Sequence, residues 1–230
     1  MKNVAYTSEY EAYRAKSDYI FCEKYLKGKT TKEISKDLSI IIYSYEESGP
    51  KHPILNCPYA IHCSHAQLID KKGQVLYSIK NVHDDTRFFD LIEHQNGKRY
   101  LVFRIDLYGY SILDLDTMKD YHYIPEESLN GGEAFIWTGT YYNKDTNLLA
   151  VEGCYWACPY EVYVVDFSEP ANLPYPEIRL NEFLNCDGDD HMDFESWNDD
   201  HSLVVRFAER DTREVIKADS LINQLRHSSQ

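Results

Sequence analysis

The stretch from Phe135 to Phe167, FIWTGTYYNKDTNLLAVEGCYWACPYEVYVVDF, limits the fold of this chain more than any other segment. It holds three apolar, β-prone runs: Phe135 to Tyr142, Leu148 to Val151 and Glu161 to Phe167. Asn143-Lys144-Asp145-Thr146 joins the first pair, and the segment Cys154 to Pro159 joins the second. Runs of Val, Ile, Tyr, Phe and Trp that alternate with polar residues and break at Asn, Asp, Gly and Pro are the sequence form of an antiparallel meander.

Other parts of the chain copy this pattern. Tyr100-Leu101-Val102-Phe103 returns as Leu148-Leu149-Ala150-Val151, 48 positions on, and Ile112-Leu113-Asp114-Leu115 returns as Val164-Val165-Asp166-Phe167, 52 positions on. The difference of four falls in the segment carrying Cys154 to Pro159, which reads as an insertion. Trp197-Asn198 followed by Leu203-Val204-Val205 matches Tyr142-Asn143 followed by Leu148-Leu149-Ala150 at 55, and Ala66 to Asp70 precedes Tyr110 to Asp114 by 44. A period of about 40 to 50 residues built from short strands is that of propeller blades, because a lone four-stranded sheet cannot bury its faces until it stacks on neighbours. The expected fold is all-β: a propeller-like array of four-stranded antiparallel meanders with an N-terminal helix. The chain has no Trp-Asp or Gly-His blade signature, and a twisted β-sandwich or barrel is the alternative.

Residues 1–38 read as an N-terminal helical cap and 39–230 as the β-meander repeat, one structural unit overall. Ser8 with Glu11 fits a capping box, and Ala12, Ala15, Tyr19, Cys22 and Leu26 make an apolar stripe that runs to Gly28. Thr30 with Glu33 repeats the signal for a short second helix through Ile34 and Leu38. Ser39 to Tyr45 is β-branched enough for an inner strand. Glu46 to Ser64, with Gly49-Pro50, His52-Pro53 and Cys57-Pro58, reads as turns, and Ala66 to Asp70 with Val75 to Ile79 as a hairpin around Lys71-Lys72-Gly73.

Two segments, YLVFRIDLYGYSILDLDT (Tyr100 to Thr117) and GCYWACPYEVYVVDFSEP (Gly153 to Pro170), resemble those of a family of uncharacterised bacterial β-rich proteins. The likeness covers about a third of the chain. It implies β-structure and brings no activity.

Charge narrows the partners. With 38 acidic against 24 basic residues the formal net charge is -14, which opposes unassisted binding to phosphate backbones and anionic membranes. Neither nucleic acid nor membrane is an expected partner; a basic protein or peptide is. The start, MKNVAYTSEYEAYR, has no apolar core of signal-peptide length, so the expected location is the cytoplasm and the six cysteines are expected to be reduced.

Three groups of residues are candidate sites. The segment Asp187 to Asp200, DGDDHMDFESWNDD, carries seven carboxylates and no Lys or Arg, and such like charges repel unless a cation or a basic partner is present. Asp187, Asp189, Asp190, His191 and Asp193 are its candidate ligands for a divalent cation, although Gly188 and Met192 break the EF-hand order. The alternative to that cation is a solvated acidic loop. A composite zinc site from Cys57, His62, Cys63, His65, Cys154 and Cys158 lacks the tight spacing structural zinc takes, and buried thiols are the plainer reading. The third group is Tyr155, Trp156 and Tyr160, aromatic where a simple turn would be polar, which suits either a recognition surface or a folded-back plug.

No G-x-S-x-G, H-E-x-x-H or P-loop occurs. The preferred function is a non-catalytic protein- or peptide-binding module presenting Tyr155, Trp156 and Tyr160 with the acidic segment. The alternative is a metal-assisted hydrolase using segment 187–201 through His191 and His201.

Overall fold

The computed structural model describes residues 2–51, 58–186 and 190–228. Four antiparallel sheets follow one another along the chain. The first contains β1 (Leu26–Glu33), β2 (Leu38–Lys51), β3 (Pro58–Asp70) and β4 (Val75–Asn81) in sequential order. The second contains β5 (Phe89–Glu93), β6 (Arg99–Phe103), β7 (Tyr110–Asp114) and β8 (Lys119–Tyr123). The third contains β9 (Ile136–Asn143), β10 (Leu148–Cys154), β11 (Tyr160–Asp166) and β12 (Glu177–Arg179). Among the described residues the fourth has three strands where four were expected: β13 (Met192–Trp197), β14 (Leu203–Phe207) and β15 (Thr212–Ile216). The helices are α1 (Ser8–Ala15), α2 (Glu127–Asn130), α3 (Leu180–Phe183) and α4 (Ala218–Ser228). No helix among the described residues is long and apolar enough to cross a membrane.

The repeat matches fall on equivalent strands. Tyr100 to Phe103, Leu148 to Val151 and Leu203 to Val205 lie in the second strands of their sheets, β6, β10 and β14. The segments ending in Asp70, Asp114 and Asp166 close the third strands β3, β7 and β11, and in each the aspartate Oδ1 accepts a backbone N–H from two residues on: Lys72, Asp116 and Ser168. A short side chain that bonds its own backbone makes the turn locally, and this turn is what recurs.

Three apolar seams stack the sheets. Leu38, Ile40, Ile42, Ala66 and Leu68 of the first sheet meet Phe89, Leu101, Phe103 and Leu113 of the second. Tyr100, Val102, Tyr110 and Ile112, from the opposite face of the second sheet, meet Trp137, Leu149, Val151, Tyr163 and Val165 of the third. Leu148, Ala150, Val162 and Val164 then meet Leu203, Val205 and Phe207 of the fourth, with Leu221 and Leu225 of α4 inserted beside them. The second and third sheets are buried on both faces, so their strands read as unbroken apolar runs. Among the described residues no apolar cluster joins the fourth sheet to the first.

The N-terminal reading is corrected in two places. Thr7 caps α1, its side chain accepting from Tyr10 N at 3.2 Å, and the helix ends at Ala15. Ala12, Ala15, Tyr19, Cys22 and Leu26 are all exposed, so the apolar stripe faces water and nothing holds a longer helix together. The expected second helix is strand β1, with Thr31 opposite Ile41 and Glu33 opposite Ser39, because the Ile40 to Ile42 run offers a ladder edge. All eight residues of β1 are exposed, and Lys27, Lys29 and Lys32 guard that edge against pairing with other chains. The helical N-terminal segment therefore ends before Leu26, and position 38 lies inside the first sheet. The segment 46–64 is also extended: β2 and β3 pair from Leu38 opposite Asp70 out to Lys51 opposite Pro58, and the hairpin tip lies outside the described residues.

The four inserted residues near Cys154 lengthen a ladder more than a loop. β6 and β7 pair from Tyr100 opposite Asp114 to Phe103 opposite Ser111, whereas β10 and β11 pair from Leu148 opposite Asp166 to Cys154 opposite Tyr160. The hairpin of the third sheet thus projects past its neighbour and carries Tyr155 to Pro159 at its tip. Trp197 and Tyr142 are both half-buried on the seam towards the preceding sheet, but they stand opposite Leu203 and Leu149. Leu203 therefore faces the third sheet whereas Leu148, its sequence match at 55, faces the fourth, and that match is one residue out of register.

Candidate functional site

The projecting hairpin separates the three aromatic candidates. Trp156 stands in solvent at the tip, 64% exposed. Tyr160 is 39% exposed and stacks on the His191 ring at 5.5 Å, on the side of the fourth sheet. Tyr155 turns the other way and packs against the seam between the second and third sheets. Its hydroxyl shares a hydrogen bond with Tyr163 Oη at 3.1 Å, and its ring meets Phe135 edge-on at 5.8 Å. The three residues therefore do not make one patch: two are presented outward and the third helps to wall a cavity.

That cavity encloses about 110 Å³ and is walled by Tyr110, Tyr123, Phe135, Trp137, Tyr155 and Tyr163. Strand alternation sets these rings. Trp137 stacks on Tyr110 at 4.0 Å across the two sheets, and Phe135 lies flat on Tyr163 at 3.8 Å. Two glycines make room. A Cβ on Gly153 would stand 2.2 Å from Ile136 O and 2.8 Å from the Phe135 ring, and one on Gly109, whose φ is +82°, would stand 2.2 Å from Tyr123 O. Side chains at either position would push the walls apart.

Charged groups line the same cavity: Glu127, Glu133 and Glu177, with Arg179 among them. Burial pushes the Glu177 carboxyl above its ordinary range, Arg179 drawing it part of the way back. Burial likewise pushes the Tyr123 phenol up to about 12 and raises Tyr110 and Tyr163, so these hydroxyls stay neutral donors. The Arg179 guanidinium lies 5.8 Å from the Tyr155 ring centre and 5.5 Å from that of Tyr163, within cation–π range.

Apart from Tyr155 the wall and its glutamates were not among the residues singled out from sequence. The available signal was the set of 20 tyrosines within apolar runs, which shows aromatic strands but not which two strands face each other.

The acidic segment has a different organisation from the one expected. Asp187 and Asp189 lie outside the described residues. Asp190 pairs with Arg210, Asp193 Oδ2 with Arg206 at 3.1 Å, and Glu195 with Arg213 at 2.6 Å. Like-charge repulsion along β13 is answered by arginines of β14 and of the turn and strand after it, all of them outside the acidic segment in sequence. His191 Nε2 lies 2.8 Å from Asp193 Oδ1, while His201 sits in the turn beyond the other end of β13, 3.6 Å from Asp145. The structure does not bring the two histidines together. Among the described residues no three His, Cys, Asp or Glu side chains are arranged to hold a metal ion.

The zinc candidates are also dispersed. Cys57 lies outside the described residues, Cys63 is buried with Ile20 and Val82, His65 stacks on Tyr43 at 6.0 Å, Cys154 ends β10 and Cys158 lies in the hairpin tip beyond it. No family model, no curated protein and no solved structure matches this chain.

Proposed function

We propose that this chain is a non-catalytic, cytoplasmic binding module for a basic protein or peptide, and that one cationic side chain of the partner enters the aromatic cavity. The observation that carries this reading is the pairing of six aromatic walls with three glutamates. A cation over aromatic faces is held by the ring quadrupoles, and desolvation strengthens that attraction to about 2 kcal/mol. Arg179 already makes this contact on Tyr155 and Tyr163 from within the chain. At about 110 Å³ the cavity falls below the ~300–1,000 Å³ of sites for drug-sized ligands, so it suits the head of a side chain better than a cofactor. Trp156, exposed at the hairpin tip and next in the chain to the wall residue Tyr155, offers the partner a flat apolar contact.

The test is a calorimetric titration with peptides rich in lysine or arginine, against glutamine-substituted controls of equal length. Basic peptides should bind, more weakly as salt rises. Trp156→Ala should weaken binding by about 2 kcal/mol, roughly thirtyfold, the usual loss at a hot spot. Glu177→Gln should weaken it while leaving the fold intact. Equal binding of the glutamine peptides would refute the reading.

A further inference from the structure

A second concavity lies where the first three sheets converge at their leading strands. Lys32 of β1, Asp90 of β5 and Thr138 of β9 line it, and the connection Asp84 to Phe88 between β4 and β5 runs across it. Asp90 already ties two of these sheets together, its Oδ2 accepting from Thr140 N at 2.9 Å and Thr140 Oγ1 at 3.0 Å.

Arg104, which follows β6, also lines this concavity with its side chain only 7% exposed. Its Nη1 donates to Leu107 O at 2.9 Å and its Nη2 to Thr86 Oγ1 at 3.2 Å. Nη2 also stands 2.7 Å from Asp84 Oδ2, off the line of a hydrogen bond. The buried Nε has no partner, nor does the buried Asp84 Oδ2 gain a hydrogen bond. Nε and Nη2 form one edge of a guanidinium, the edge that takes a carboxylate in bidentate fashion. Here that edge is half used. An unpaired buried donor is costly, and each one in a native structure calls for a partner.

The charges around the concavity decide what that partner can be. Lys32, Arg87 and Arg104 face Asp84, Asp85 and Asp90, three of each sign. Lys32 Nζ donates to Phe89 O at 2.9 Å and lies 3.9 Å from Asp90, and Ser44 Oγ donates to Asp85 at 2.8 Å. Arg87 is exposed and, among the described residues, pairs with no carboxylate. A phosphate would meet three carboxylates and a simple amine three cations. A small molecule with one charge of each sign meets neither penalty.

We infer that this concavity binds a free α-amino acid zwitterion, its carboxylate on Arg104 and Arg87 and its ammonium facing Asp85 and Asp90. The volume, about 380 Å³, lies at the lower end of the ~300–1,000 Å³ range for small-molecule sites, which suits such a ligand. The site is separate from the aromatic cavity, shares no lining residue with it and is independent of the peptide-binding reading.

The experiment is calorimetry of the full chain with the free amino acids one by one, and for any that binds, with its N-acetylated and C-amidated forms. At least one amino acid should bind, and blocking either end should cost about tenfold or more, as expected for losing a charge-assisted hydrogen bond. Arg87→Ala should cause a similar loss with the melting temperature unchanged, because Arg87 is exposed, and should leave binding of basic peptides as it was. Arg104→Lys should also weaken the zwitterion, and if that variant fails to fold the Arg87 variant alone decides. The inference is overturned if no free amino acid binds at millimolar concentration, if inorganic phosphate binds as well as any of them, if Arg87→Ala has no effect, or if a crystal grown with the amino acids shows only ordered water at Arg104 Nε.

Discussion

The two seams on either face of the third sheet differ in the share of rings they bury, one mainly aromatic and the other mainly aliphatic with Tyr141, Phe194 and Trp197 at its margin. Towards the second sheet it presents Phe135, Trp137, Tyr163 and Phe167, which meet Tyr100, Tyr110 and Tyr123. Towards the fourth it presents Leu148, Ala150, Val162 and Val164, which meet Leu203, Val205 and the leucines of α4. Branched aliphatic chains interdigitate and fill the space between sheets. Flat rings stack, and stacks end in angular gaps. The ring seam also takes polar atoms into the interior: Tyr110 Oη accepts from Tyr175 N at 2.8 Å, Tyr175 Oη donates to Pro170 O at 2.6 Å, and His94 Nε2 donates to Phe167 O at 2.9 Å. His94 Nδ1 accepts from Asn96 N at 3.1 Å, which fixes the tautomer. One face of a single sheet thus makes a mainly aliphatic core, and the other makes a core with a ring-walled cavity and neutral hydroxyls beside it.

The largest expected effect follows from removing a wall of the ring seam. Trp137 is 3% exposed and stacks on Tyr110, so Trp137→Ala should destabilise by about 4 kcal/mol and enlarge the existing cavity. Leu221→Ala in the aliphatic seam should cost less, about 3 kcal/mol, with no change in peptide binding. Urea denaturation of both variants measures the pair. If Leu221→Ala costs more, the aliphatic seam carries the stability and the ring seam is mainly a surface for recognition.

The same contrast explains what could be read from the chain alone. Leu101-Val102, Ala150-Val151 and Val164-Val165 are short, β-branched and bounded by Asp or Asn turns, so their strands and the order of the sheets were legible. Sheet-to-sheet contacts were not. That Trp137 meets Tyr110, and Glu177 comes to the same cavity, depends on how far each sheet twists over the next, which no local pattern encodes. The N-terminal misreading has the same origin. The 3.6-residue stripe through Tyr19 and Cys22 was real, but no sheet face was left to cover it, and Leu26 to Glu33 found a ladder beside β2 instead. The acidic run was likewise legible without its partners Arg206, Arg210 and Arg213, which lie on β14, in the turn after it and on β15.

A pH titration separates the seams at a smaller amplitude. The Glu177 carboxyl has a higher pKa in the folded chain than in the unfolded one, so the folded state holds its proton more tightly. Its contribution is complete at low pH and is lost as pH rises through the folded value. Glu177→Gln should therefore flatten the fall in stability across this window. The buried members of the aliphatic cluster carry no carboxyl or imidazole, so Leu221→Ala should lower the whole profile from about pH 4 to pH 8 without changing its shape. Urea midpoints from about pH 4 to pH 8 would show this, and an unchanged slope in Glu177→Gln would move the origin of the pH dependence away from the ring seam.

The smallest effects lie on two adjacent residues at the hairpin tip. Tyr155 belongs to the ring seam and Trp156 to the solvent, although both are aromatic and their backbones are one residue apart. Tyr155→Phe keeps the ring against Phe135 and removes only the hydroxyl shared with Tyr163, so it should cost about 1 kcal/mol, the net value of one hydrogen bond. Trp156→Ala removes a side chain that is 64% exposed, and should fall within about 0.5 kcal/mol of the parent chain, as surface substitutions do. The two denaturation midpoints should differ in that order while binding responds in the opposite order, with Trp156→Ala weakening a basic peptide more than Tyr155→Phe. A Trp156→Ala loss of several kcal/mol would mean that the tip folds back onto the sheet in solution, and the outward surface would then no longer be available to a partner.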